Sequence, residues 1–297
     1  MKKIFCIGHA TYDITIPIES FIIENTKTRF ETFYECGGGP AATAAYLLGK
    51  WGQNVYFIGT LGNDYYKDKI IEEFKSVNVN TDLIDINNYG KTTFSYILAN
   101  KNNGQRTVVS VKDKNLKYSK PNLAEKVDII LIDGTDYDIA LNIIKNNPQA
   151  IKIIDAGRNT KEVIELAKQV DYLICSKSFA KEYTNINIDN NELSLLKKAY
   201  DLLEKGFKNK IAITLESAGV FTKEGDEYIQ IEGIKVKSID TTGAGDIFHG
   251  AFTYFITNNY DYITSLKYAN ITAGLSVTKI GTRNSIFDLN KVINYEN

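Results

Sequence analysis

Short, continuous apolar runs alternate with segments of helical periodicity along most of this chain. Residues 5–8, 55–58, 129–132, 151–154, 172–174 and 211–215 are rich in Ile and Val without polar alternation, the pattern of strands covered on both faces. Between them, residues 40–50, 65–76, 138–145, 160–168 and 191–204 read as helices. This alternation predicts an α/β fold, a three-layer sandwich with a mostly parallel central sheet flanked by helices. No linker rich in Pro, Gly or Ser and no internal repeat divides the sequence, so residues 1–297 are expected to form a single domain.

Two stretches depart from the pattern. Residues 13–35 and 91–112 alternate apolar and polar positions, and Asn102-Asn103-Gly104 reads as a hairpin turn. They predict a small antiparallel sheet beside the main one, half exposed, serving as a lid over a ligand or as a ribbon joining two copies. A further hairpin at Glu224-Gly225-Asp226 is read as structural.

Composition narrows the function classes. With 35 basic against 36 acidic side chains the net charge is -1, which argues against a nucleic-acid binder, since phosphate backbones demand a concentrated positive face. The tyrosines form no platform beside a basic stripe. No apolar run approaches the roughly 18 residues of a membrane span. Residues 1–8 are too short an apolar segment for a signal peptide and read as a first strand. Three scattered cysteines, Cys6, Cys36 and Cys175, fit a reducing compartment and no structural zinc. The expected location is the cytoplasm.

The sharpest chemical feature is Asp240-Thr241-Thr242-Gly243-Ala244-Gly245-Asp246-Ile247-Phe248-His249-Gly250-Ala251-Phe252. Small residues at 243–245 let an anion approach the backbone. The apolar pattern that follows starts a helix, so free N–H groups and the positive dipole end face one spot. Asp246, in the first turn, is placed to accept a hydroxyl proton. That is chemistry for phosphoryl transfer. His249 shares the face of Asp246 and is read as packed or hydrogen-bonded in preference to touching substrate. His9 has no partner at metal-ligand spacing. Neither a Rossmann glycine spacing nor a Walker A motif is present.

The run resembles the C-terminal signature of the ribokinase-like (PfkB) family of sugar kinases nearly residue for residue. Gly37-Gly38-Gly39-Pro40-Ala41-Ala42-Thr43-Ala44-Ala45 resembles the family's first signature. Residues 268–273 and Val277-Thr278-Lys279-Ile280-Gly281 are similar to its nucleotide-site helix and loop, and Asp155-Ala156-Gly157-Arg158 to its strand-end Asp-x-x-Arg. The resemblance covers essentially the whole chain. It implies transfer of the ATP γ-phosphate to a sugar hydroxyl, with Asp246 as base and Gly243, Ala244 and Gly245 as anion hole. It places the acceptor against Asp13, Gly37, Gly38, Thr43 and Arg158. The nucleotide falls to Thr214, Ser217, Gly219, Thr242, Asn270 and Gly281. It further implies Mg2+, K+ held by backbone carbonyls of Asp240, Thr242 and Ser285, and a homodimer formed through the β lid.

Departures from the family pattern matter too. Ala42 stands where many relatives have asparagine. The expected Asn-x-x-Glu element is replaced by Ser176-Lys177-Ser178-Phe179, and Glu216 replaces a glycine and is expected to point away from phosphates or contact the ribose. Magnesium then falls to ATP phosphates and water. These features are most similar to a subgroup containing sulfofructose kinase, implying a ketose or a modified or phosphorylated ketose as acceptor. Arg158 is a candidate for an anionic group or an ion-pairing surface residue. A nucleoside or other small-alcohol kinase, and a non-catalytic sugar- or nucleotide-binding regulator, are the competing readings.

Overall fold

The computed structural model describes residues 1–120 and 123–295. In chain order the strands are β1 (Lys3–Ile7), β2 (Thr11–Ile18), β3 (Tyr34–Gly38), β4 (Asn54–Ile58), β5 (Thr60–Gly62), β6 (Asp85–Asn87), β7 (Phe94–Asn100), β8 (Arg106–Val111), β9 (Ile129–Ile132), β10 (Ile151–Ala156), β11 (Tyr172–Ser176), β12 (Lys210–Thr214), β13 (Val220–Glu224) and β14 (Glu227–Ile231). The helices are α1 (Pro40–Lys50), α2 (Tyr65–Ser76), α3 (Tyr137–Asn146), α4 (Lys161–Ala167), α5 (Lys177–Thr184), α6 (Leu193–Gly206), α7 (Ala244–Thr257), α8 (Tyr262–Ser276) and α9 (Leu289–Ile293).

The main sheet runs β14-β13-β12-β11-β10-β9-β1-β4, parallel from β4 to β12 with an antiparallel β13–β14 hairpin at one edge. Successive residues of β1 face opposite layers. Ile4 and Cys6 join one core with α1, α2, α7, α8 and α9, while Phe5 and Ile7 join another with α3 to α6. Covering both faces is why these strands read as unbroken apolar runs. Trp51 closes the C-terminal end of α1, stacking edge-on with Tyr254 and donating its indole N–H to Phe287 O at 3.0 Å.

The lid is a four-stranded sheet in the order β3-β2-β7-β8. It is mixed rather than wholly antiparallel, because β2 and β7 pair in parallel between two antiparallel pairs. The expected strand over 13–35 divides into β2 and β3, and residues 19–33 between them are irregular, with Asn25 in the left-handed region at φ 59°. Three features were not anticipated: the small β5–β6 pair, α9, and α5, whose start is capped by Ser176 accepting Phe179 N–H at 3.0 Å. No described helix is long and apolar enough to cross a membrane.

Candidate active site

The chain leaves β1 towards β4 on one side and returns as β9 on the other, so the strand order reverses at β1. The crevice at the carboxyl ends beside such a switch point is where open α/β sheets bind ligands. Residues from both sides meet there on Asp133. One carboxylate oxygen accepts the N–H groups of His9 (2.7 Å) and Ala41 (3.2 Å), and the other accepts Thr135 N–H (2.9 Å). Gly8, with φ +147°, leaves the room: a Cβ there would lie 2.0 Å from Asp133 Oδ1. Asp133 therefore ties the ends of β1 and β9 to the start of α1. Replacing it with alanine strands these donors and is expected to cost about 3 kcal/mol of stability, measured as a lower denaturant midpoint at unchanged slope.

Helix α7 starts at the Gly243-Ala244-Gly245 run. Gly243 is the N-cap of α7 in the left-handed region, φ 74°, and a Cβ there would meet Thr282 Cγ2 at 2.3 Å. Ala244 N–H makes a long bond back to Thr241 O (3.4 Å) and Ile247 N–H a short one to Gly243 O (2.8 Å), and around Gly245 a Cβ would meet nothing within 4 Å. The helix start at Gly245 thus opens on free space beside Asp246. Burial raises the Asp246 carboxyl above the usual range, and Asp155 adds to it, while His249 and Arg106 oppose. His249 is buried, as expected of a packed histidine. Its Nδ1 donates to Gly245 O (2.7 Å) and lies 3.1 Å from Asp155 Oδ2, and Nε2 faces Ile174 O (3.3 Å). It thereby fixes the peptide that shapes the hole.

On the lid side, Asp13 on β2 is buried beside Gly38 of β3, where a Cβ would come within 2.0 Å of Asp13 Oδ2. Asp13 Oδ1 has no hydrogen-bond partner among the described residues, and burial pushes the carboxyl up to about 7. A buried carboxylate oxygen left open is suited to a ligand hydroxyl. Gly37 N–H donates to both oxygens of Glu73, at 3.0 and 2.9 Å. Thr43 is not brought to this surface. It is fully buried in α1, with no hydrogen-bond partner for its hydroxyl among the described residues. Arg158 is exposed at the end of β10. Burial holds His9 neutral; Asp133 opposes this, whereas the Lys112 and Arg158 charges reinforce it.

The residues that the resemblance assigns to the nucleotide hold a second group of loops. Asp240 accepts Thr242 N–H (2.9 Å), the Thr242 hydroxyl (2.6 Å) and Gly281 N–H (3.0 Å). Ser285 donates to Thr282 O at 2.8 Å. Asn270 is buried and donates to Glu232 O (2.8 Å). Thr214 donates to Cys175 O (3.3 Å), and a Cβ on Gly219 would lie 1.9 Å from Ile231 O. Ser217 is exposed beside Glu216. Glu216 occupies the left-handed region at φ 56°, a conformation that favours glycine, and its side chain is exposed. Lys177 donates to Asp189 O (2.9 Å), a surface contact.

Sequence reasoning missed two groups besides Asp133. Arg106, directly after the lid turn, donates to Thr241 Oγ1 at 2.8 Å, and Thr241 in turn donates to Gly104 O at 3.0 Å. The lid hairpin is therefore tied to the run that ends in Asp246. Arg283 is buried against Glu73. The Gly-Gln-Arg after the turn was the available signal for the first; the second had none.

Comparison with known proteins adds a wider frame. The profile of the pfkB family carbohydrate kinases matches residues 1–288. The chain is 26% identical over 306 residues to a ribokinase of Lactococcus lactis, covering 98% of this chain and 96% of that enzyme. It is 22% identical to mouse ketohexokinase over 288 residues, covering 92% and 95%. An Arabidopsis thaliana ribokinase, solved with ribose and ATP, superposes with a TM-score of 0.82 at 22% identity over 98% of this chain and 97% of that one.

Proposed function

The chain belongs to the pfkB family of carbohydrate kinases, and from that premise we propose that it transfers the γ-phosphate of ATP to a hydroxyl of a ketose or of a modified or phosphorylated ketose. The observation that carries the catalytic assignment is the open, glycine-lined start of α7 with Asp246 in its first turn. Asp246 takes the proton of the acceptor hydroxyl as its oxygen bonds to the γ-phosphorus. The bond from that phosphorus to the β,γ-bridging oxygen breaks, and ADP leaves. Charge on the transferring group faces the amides of Gly243, Ala244 and Gly245. Arg106 adds a positive charge from the lid. Asp13, with its open oxygen, and the Gly37–Gly38 backbone orient the acceptor.

Mg2+ would supply charge neutralisation on the phosphates and would be held by ATP oxygens and water, since Ser176 at the end of β11 and Lys177 after it are already engaged elsewhere. The joined loops of Asp240, Thr242 and Ser285 offer carbonyls for K+. Thr214, Ser217, Gly219, Asn270 and Gly281 line the nucleotide side. Lys112 and Arg158, the two cations acting on His9, favour an acceptor with an anionic end.

Turnover of ATP with Mg2+ and K+ against ketoses, aldoses, their phosphates, a sulfosugar and nucleosides tests this reading. Selective stimulation by a ketose or its phosphate is expected. Stimulation by nucleosides alone would move the assignment to a nucleoside kinase, and ligand binding without product to a regulator.

The pH dependence follows from burial. Asp246 must be ionised to accept a proton, and Asp13 to accept a hydroxyl hydrogen. Both carboxyls are raised, Asp13 to about 7. The expected kcat/KM therefore falls as pH drops through about 7. A limb near pH 4, the ordinary carboxylate range, would contradict it.

The lid also carries the proposed dimer contact. All of β8 is exposed, including Val108, Val109 and Val111, and the strand is an unpaired edge. Such an edge calls for cover. Light scattering is expected to give twice the 33.4 kDa chain mass, and Val109→Lys to halve it.

A further inference from the structure

Arg283 is 5% exposed, in the loop that follows α8. Its Nη1 donates to Ala42 O (2.8 Å), Nε lies 3.3 Å from Glu73 Oε2, and the guanidinium carbon sits 4.4 Å from the Tyr46 ring centroid. Nη2 has no hydrogen-bond partner among the described residues. Glu73 is the carboxylate that receives Gly37 N–H with both oxygens. The same loop bonds in the opposite direction: Gly281 N–H donates to Asp240, and Thr282 packs where a Cβ of Gly243 would stand. One short loop thus touches the anion-hole run on one side and, through a buried charge pair, the acceptor strand on the other.

A buried ion pair is a poor source of stability, because desolvation offsets most of the attraction. An apolar side chain could fill this volume between Tyr46 and Phe74. What the pair supplies instead is a fixed bridge from residue 283 to the Gly37 peptide. We propose that Arg283 is a positioning residue that couples occupancy of the nucleotide-side loop to the acceptor strand, so that nucleotide binding at 281–285 stiffens Gly37 and Gly38 through Glu73. The inference rests on the kinase reading of the site and goes beyond it, since it assigns a linkage between the two substrates.

Amide hydrogen exchange tests this without a known acceptor. With ADP, Mg2+ and K+ as probe, the wild-type chain is expected to exchange more slowly both at residues 281–285 and at 34–38, the latter by about 5-fold or more, the lower end of typical coupling. In Glu73→Gln, which keeps the shape and removes the charge, slowing at 281–285 remains and slowing at 34–38 disappears. Arg283→Lys, which keeps the charge and loses the planar fork, serves the same comparison if Glu73→Gln does not fold. Slowing at 281–285 alone in the wild type, or slowing at 34–38 that survives the substitution, overturns the coupling and leaves the kinase reading intact. No slowing at 281–285 in the wild type overturns both.

Discussion

Asp246→Asn is expected to lower kcat by about 10²- to 10⁴-fold, the range for a general base, with KM for ATP and acceptor changed little. The substitution preserves shape at the first turn of α7 and removes only the proton acceptor. The fold should not suffer. Burial holds the Asp246 carboxyl above its ordinary range, so its ionised form is disfavoured in the folded chain at neutral and higher pH. A neutral amide avoids that cost, and the melting temperature at pH 8 should be equal to or above that of the wild type. Loss of turnover with retained nucleotide binding and a melting temperature no lower than that of the wild type identifies the base. Turnover within tenfold of the wild type would place the base elsewhere.

The second large effect is expected from Gly38→Ala. A methyl group at this position would lie 2.0 Å from Asp13 Oδ2 and 2.7 Å from Asp13 Cγ, so the Asp13 side chain must rotate away from the acceptor. The loss is that of a hydrogen bond to a charged group, about 1.5–3 kcal/mol, which corresponds to an acceptor KM raised about 10- to 150-fold. The nucleotide side lies on other elements, so KM for ATP should hold. Added strain between β2 and β3 would also lower stability by about 1–3 kcal/mol, the usual range for overpacking. An acceptor KM within twofold of the wild type would remove Asp13 from the binding site.

Much of this architecture is legible in the sequence, and the division is physical. The strands at 129–132 and 151–154 and the helices at 40–50 and 65–76 are written in local periodicity, and the structure has them with the same or nearly the same bounds. The start of α7 is legible because Gly243 must adopt a positive φ and small residues must follow it, both local demands. Asp133 is not legible: its partners His9 and Ala41 lie 124 and 92 residues away. Arg283 reaches Ala42 across 241 residues. Helix α5, with only Phe179 and Ala180 buried, has too few core contacts to show a periodic signal. The alternating stretch at 13–35 forms no strand at residues 19–33, because alternation alone does not supply a neighbouring strand to pair with.

The separation of the site into two sheets has an evolutionary consequence. The proposed phosphoryl-transfer residues stand on α7, whereas Asp13, Gly37 and Gly38, proposed to hold the acceptor, ride on the four-stranded sheet. A lineage can therefore exchange side chains along β2, β3 and β7 and acquire a new sugar without disturbing the chemistry. On the proposed reading the four-stranded sheet is the half free to diversify, constrained chiefly where Glu73 and Arg283 join the two.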